Sequence, residues 1–239
     1  MDKGLDEIWV YLSASPLLAL TLTLAAYQLG NWIYQKGGRN PLLNPVLIAV
    51  VVLVSVLMAT GTDYATYFEG AQFVHFLLGA ATVSLALPLY RQIERVRQSA
   101  LAITVSLLAG SLTAVASAVG LAWSLGAGED ILVSLAPKSV TAPVAMAIAE
   151  QLGGLPSLTA VLVILTGIVG AALGPLLLNL IGVKDMAARG LAIGTASHGI
   201  GTARALQVSE VAGAFAGLAM GLNALATAIL LPLIWSWVF

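Results

Sequence analysis

Pro137-Lys138-Ser139-Val140-Thr141-Ala142-Pro143 lies inside a stretch, Ile131 to Gln151, that is apolar at both ends. Pro137 cannot continue a helix, because it lacks an N–H and its ring clashes with the preceding turn. Pro143 suits the first turn of a new helix, and Thr141 is placed to cap it. The element therefore reads as a half-helix, an extended hinge and a second half-helix. Lys138 sits at the hinge, and a cation inside an apolar element is costly and marks function. The second half-helix aims its free N–H groups and the positive end of its dipole at the hinge. With Lys138 and the hydroxyls of Ser139 and Thr141, that makes a site for a small anion. The plain alternative is a structural pairing of Lys138 with Glu150 or with an acid outside the membrane.

Composition places this hinge in a lipid environment. The chain has 239 residues, 59% of them hydrophobic and 9% charged. Soluble domains carry about 25% charge, which excludes a cytosolic enzyme. Ten Lys and Arg against eleven Asp and Glu leave no basic stripe for a nucleic acid. There is no Cys, hence no disulfide framework and no thiolate metal site. The expected fold is an all-α polytopic membrane protein with about 7–8 hydrophobic elements. It reads as a single transmembrane domain over residues 1–239.

The spans follow from the charge-free runs. Ile8 to Leu29 reads as a retained transmembrane helix that Pro16 can kink, because its acidic flank is not that of a signal peptide. Leu42 to Thr60, Gln72 to Tyr90, Ser99 to Leu125, Leu155 to Ile181 and Val211 to Phe239 follow, the last with Trp235 and Trp237 as interfacial anchors. Lys36 and Arg39, and then Arg91, Arg95 and Arg97, mark cytoplasmic loops. A re-entrant Ile131 to Gln151 keeps Lys184 and Arg189 on that same side, so re-entry is favoured over a full crossing. A weak repeat relates residues 42–98 to 99–154, through Gly79 to Ala86 and Lys138 to Ala145. Repeats around interrupted helices are typical of secondary transporters.

A second broken element spans residues 190–206. Thr195-Ala196-Ser197-His198-Gly199-Ile200-Gly201-Thr202-Ala203-Arg204 collects hydroxyls, an imidazole and a guanidinium in a short apolar setting. Gly199 and Gly201 allow an open backbone and close approach by a ligand. His198 is suited to contact a carboxylate or to carry a coupling proton. Arg204 can hold a carboxylate bidentately, or pair with Glu210 or Glu150. Glu150, at the end of its half-helix, is a second coupling candidate that can equally face water. His75 reads as packing, Gly170-xxx-Gly174 as a helix contact, and Asn179 and Asn223 as interhelical hydrogen-bond glue. No H-E-x-x-H, P-loop, G-x-S-x-G or paired-carboxylate motif appears, so no enzyme is expected. Two His and no Cys argue against zinc. No cofactor is expected beyond coupling to H+ or Na+.

Pro137 to Met146 with Gln151-Leu152-Gly153-Gly154 resembles the signature of the LrgB/CidB family. So does Gly194 to Ala205, with Glu210, Gly213-Ala214-Phe215 and Gly217 to Gly221 after it. Asn44-Pro45 and Phe76 to Val83 also fit, although Ala80 stands where the family usually has Pro. The resemblance covers nearly the whole chain from Asn44. It implies discontinuous helices that cross, as in cation–proton antiporters and bile-acid symporters. It is also similar to the membrane part of the plastid glycolate/glycerate translocator. This implies a secondary transporter of small 2-hydroxy- or 2-oxo-monocarboxylates, bound by Lys138, Ser139, Thr141, Thr195, Ser197, His198, Gly199, Thr202 and Arg204. The same family implies a rival function: regulation of murein hydrolases and cell lysis beside a small holin-like LrgA/CidA-type partner, without carrier activity. A homodimer is expected, because the chain is short for a transporter and rich in small-residue faces.

Overall fold

A computed structural model describes residues 16–38, 40 and 43–238, apart from the side chains of Pro16, His75, Leu78, Thr82 and Val238. Residues 8–15 of the first expected span and the packing of His75 lie outside the described residues. Every regular element among the described residues is helical. They are α1 (Pro16–Lys36), α2 (Pro45–Thr60), α3 (Tyr64–Ser84), α4 (Ala86–Arg91), α5 (Ile93–Gln98) and α6 (Ala100–Ser124). Then come α7 (Glu129–Leu135), α8 (Ala142–Gln151), α9 (Pro156–Leu180), α10 (Met186–Val208) and α11 (Glu210–Val238). Four stretches are long and apolar enough to cross a membrane: Tyr64–Arg91, Ala100–Ser124, Pro156–Leu180 and Glu210–Trp237. A helix of 25 residues rises about 37 Å, enough for a hydrocarbon core of about 30 Å. The chain is a multi-pass membrane protein. α1 runs beyond the expected end at Leu29 to Lys36, carrying Gln28, Asn31 and Gln35 within the helix.

The chain divides into two compact units, Met1–Ser84 and Leu85–Phe239. In the first, Asn44 caps α2, its Oδ1 accepting from the N–H groups of Val46 (2.8 Å) and Leu47 (3.3 Å). Pro45 takes the first helical position, where its missing N–H costs nothing. Thr23 and Tyr67 share a hydroxyl hydrogen bond of 2.8 Å that joins α1 to α3. Gly79 to Ser84 is helical, so this run differs in shape from its counterpart at 138–145.

The second unit is built on α6, α9 and α11, with α7, α8 and α10 laid against them. In lipid, helices associate through close packing and hydrogen bonds rather than by escaping water. Gly190 and Gly194 of α10 show this. A Cβ on either would run into the backbone of Ala212 or Ala216 of α11. One end of the unit is latched by charge. Arg91 pairs with Glu210 at 2.9 Å, and Arg95 pairs with Asp185 while its guanidinium lies 5.7 Å from the Phe215 ring centre. Both acids stand at helix N-termini, where the helix dipole favours negative charge.

Candidate functional site

The first break follows Leu135. Lys138 N–H donates to Leu135 O (3.1 Å) and Val140 N–H to Pro137 O (3.2 Å), so residues 136–140 form turns. Thr141, which follows them, has extended dihedrals (φ −64°, ψ 145°), and α8 begins next to it with Pro143 in its first turn. The extended hinge of the sequence reading is therefore mostly turn. Thr141 occupies the cap position but its side chain makes no capping hydrogen bond. Its usual targets are the N–H groups of the second and third helical residues, and Pro143, the second, has none.

The chain then comes back to α7. Ile148 of α8 clusters with Leu132, Val133 and Ala136. Leu155 N–H donates to Ser134 Oγ (2.8 Å) and Thr159 Oγ1 donates to Ser134 O (3.1 Å). Lys138 lies at the turn of this hairpin, half-buried. Its Nζ donates to Ser139 Oγ at 3.3 Å. The described residues hold no ion pair to Lys138, and Glu150 is exposed at the far end of α8, so the alternative of a structural pairing between these two is not formed.

The second break falls inside α10, at Ser197 (φ −130°, ψ 15°) and His198 (φ 40°, ψ −134°). His198 is the one described non-glycine residue with positive φ, in a region open mainly to Gly. Two contacts hold it there. Its Nε2 lies 2.8 Å from Val163 O of α9, a carbonyl that can only accept, so Nε2 carries the proton. On α9, a Cβ at Gly167 would stand 2.7 Å from the His198 ring, and one at Gly170 would overlap the Ser197 side chain. Gly170 thus makes room for Ser197, and Gly174 faces Ile193 of the same helix α10, as expected of a small-xxx-small helix contact.

α10 also doubles back. Its first half runs parallel to α11, with Gly190 against Ala212 and Gly194 against Ala216. Its second half runs antiparallel, with Thr202 near Met220 and Leu206 against Gly213. Gly201 returns beside Ile193 and Ser197. Each half, of about ten residues, rises about 15 Å, half the hydrocarbon thickness.

The tips of the two hairpins meet at one residue of α11. Asn223 Nδ2 donates to Thr195 O (3.1 Å) and to Ser139 O (3.4 Å). The hydroxyls of Thr195 and Thr202 donate to the carbonyls of Leu191 and His198, both at 2.8 Å, leaving their lone pairs as acceptors. Ser197 Oγ is buried without a hydrogen-bond partner. Gly199 leaves Met220 Sδ 3.8 Å from where a Cβ would stand. Arg204 hydrogen-bonds Gln207 of its own helix (3.3 Å), about 9 Å along the axis from His198. The geometry therefore joins Lys138, Ser139 and Thr195 through Asn223, sets Ser197 and His198 on α9, and leaves Arg204 and Glu150 away from the tips. Asn223 was legible only as a hydrogen-bonding residue in an uncharged span, and Gly167 carried no signal. The described residues include no group of three or more His, Asp or Glu fit to hold a metal.

The profile of the LrgB-like family matches residues 23–237. The Holin-like protein CidB of Staphylococcus epidermidis is 36% identical over 224 residues, covering 94% of this chain and 96% of that protein. The Holin-like protein CidB of Staphylococcus aureus is 34% identical over 218 residues, 91% of this chain and 95% of that one. The Bacillus subtilis protein YxaC is 36% identical over 223 residues, 93% and 96%. No solved structure matches the chain. The names of the two staphylococcal relatives favour the holin-associated reading over the carrier reading.

Proposed function

We propose, for a chain that belongs to the LrgB-like family, that it works as a holin-like membrane protein regulating murein hydrolase export and cell lysis beside a small partner of LrgA/CidA type. The observation that carries this is the likeness to proteins named holin-like over more than nine-tenths of both lengths. The test is to delete the chain from its host and measure released murein hydrolase activity and lysis. Unchanged hydrolase activity and lysis would reject the reading. Co-purification with the small partner is the expected accompaniment.

One observation favours a second reading, a carrier of small monocarboxylates such as glycolate, glycerate, pyruvate or lactate. It is the amine of Lys138, half-buried at the tip of the first hairpin and without an ion pair among the described residues. In this reading Lys138 and the α8 N-terminus hold the carboxylate. Ser139, Thr141, Thr195, Ser197 and Thr202 read its oxygen substituents, and His198 contacts the ligand or carries a proton. Uptake of labelled glycolate, pyruvate and lactate into liposomes tests it, with Lys138→Ala and His198→Ala as controls. Absence of saturable uptake under proton and sodium gradients, with the partner co-reconstituted, rejects it. The holin-associated reading expects Lys138→Ala to leave hydrolase release unchanged.

A further inference from the structure

We propose that Asn223 is the positioning residue that couples the two hairpin tips, so that Ser139, and with it Lys138, is held in place by the second break. Three observations carry this. Asn223 is 1% exposed and donates to one backbone carbonyl of each interrupted element, Ser139 O and Thr195 O. Its Oδ1 is buried with no partner. The reverse orientation would set that oxygen against two carbonyl oxygens, so the two carbonyls fix the amide even though an acceptor is stranded. Finally, the arms are unequal. The bond to Thr195 O is 3.1 Å, within the ordinary range, and the bond to Ser139 O is 3.4 Å, beyond it. The arm to the tip carrying Lys138 is therefore the weaker of the two. A residue serving only as helix glue joins two helices; Asn223 joins two breaks to a third helix. The role does not depend on whether the site moves a carboxylate.

The test uses the absence of native Cys, which makes any introduced thiol unique. Ser139→Cys and Thr195→Cys report on the two tips, and Leu107→Cys, buried in α6 and not bonded to Asn223, reports on general loosening. N-ethylmaleimide alkylation rates are measured in the full chain in liposomes. Asn223→Leu keeps the volume and removes both donors. It is expected to speed alkylation at both tips by about fivefold or more, the factor for losing an ordinary hydrogen bond, and to leave Leu107→Cys unchanged. Asn223→Thr keeps one donor and is expected to speed only Ser139→Cys. Equal rates with and without Asn223→Leu, or equal acceleration at all three reporters, would overturn the proposal. If Asn223→Leu does not fold, the Asn223→Thr pair decides alone: no difference between Ser139→Cys and Thr195→Cys rejects the coupling.

Discussion

The two breaks reach similar shapes by opposite means. At 136–141 the interruption is covalent: Pro137 and Pro143, six residues apart, each disfavour a continuous helix from within the segment. At 197–198 there is no proline. The chain reverses because His198 accepts a backbone conformation suited to Gly, held by Val163 O and by room left at Gly167 and Gly170. The first break belongs to its own segment, whereas the second exists only while α9 lies against it. A break of the second kind is the one that a neighbouring helix can open or close.

The largest expected effect tests that dependence. Gly167→Ala or Gly170→Ala puts a methyl into the His198 ring or the Ser197 side chain, and overpacking of this kind costs about 1–3 kcal/mol. Thermal unfolding in detergent should show the loss, and wild-type melting would mean that α9 does not hold the second break. Next comes a reversal of sign. In an ordinary helix Gly is about 1 kcal/mol worse than Ala. At position 198 the order inverts: His198→Gly should be the more stable by about 1 kcal/mol, since Ala keeps the strained φ without the hydrogen bond to Val163 O. An Ala variant as stable as the Gly variant would deny the strain.

At the first break the effects shrink. An N-cap Thr usually contributes about 1 kcal/mol, but Thr141 makes no cap bond, so Thr141→Ala should cost well under that. A full-sized loss in chemical denaturation would restore the cap. The smallest effect lies at the start of the helix carrying the second break. The Ala188 N–H chiefly holds the exposed Asp185 carboxyl below its usual 3.8; burial opposes it, and the Arg95 guanidinium beside it adds to the lowering. A depressed carboxylate stabilises the fold above its unfolded pKa, and that contribution is lost as pH falls through the folded one. Asp185→Asn should therefore lower stability slightly at neutral pH, with the difference from the wild type vanishing as pH falls below about 4. A profile identical to the wild type would discount the cap.

These differences explain what could be read in advance. Pro137 and Pro143 announce the first break because their constraint is local, and the run from Thr195 to Arg204 marks the second because polar residues are rare in an apolar chain. What escaped depends on partners distant in sequence. Gly170 reads as a packing glycine, but Ser197 as the side chain it makes room for appears only once α9 and α10 lie together. Asn223 shows its bond type but not its acceptors, which lie 84 and 28 residues away. Arg204 looked like a site residue because charge is scarce. Its place follows from the reversal at His198, which carries the second half of α10 back towards the latch at Glu210.

The doubling back of both elements also has an electrical consequence. At each tip one half-helix ends and another begins, so a negative and a positive dipole end stand side by side and largely cancel. The ammonium of Lys138 is then the net charge at the first tip. A transmembrane potential acts on one elementary charge with about 2.3 kcal/mol per 100 mV over the full thickness. A charge fixed on that hairpin therefore feels a share of the voltage, whatever the site binds.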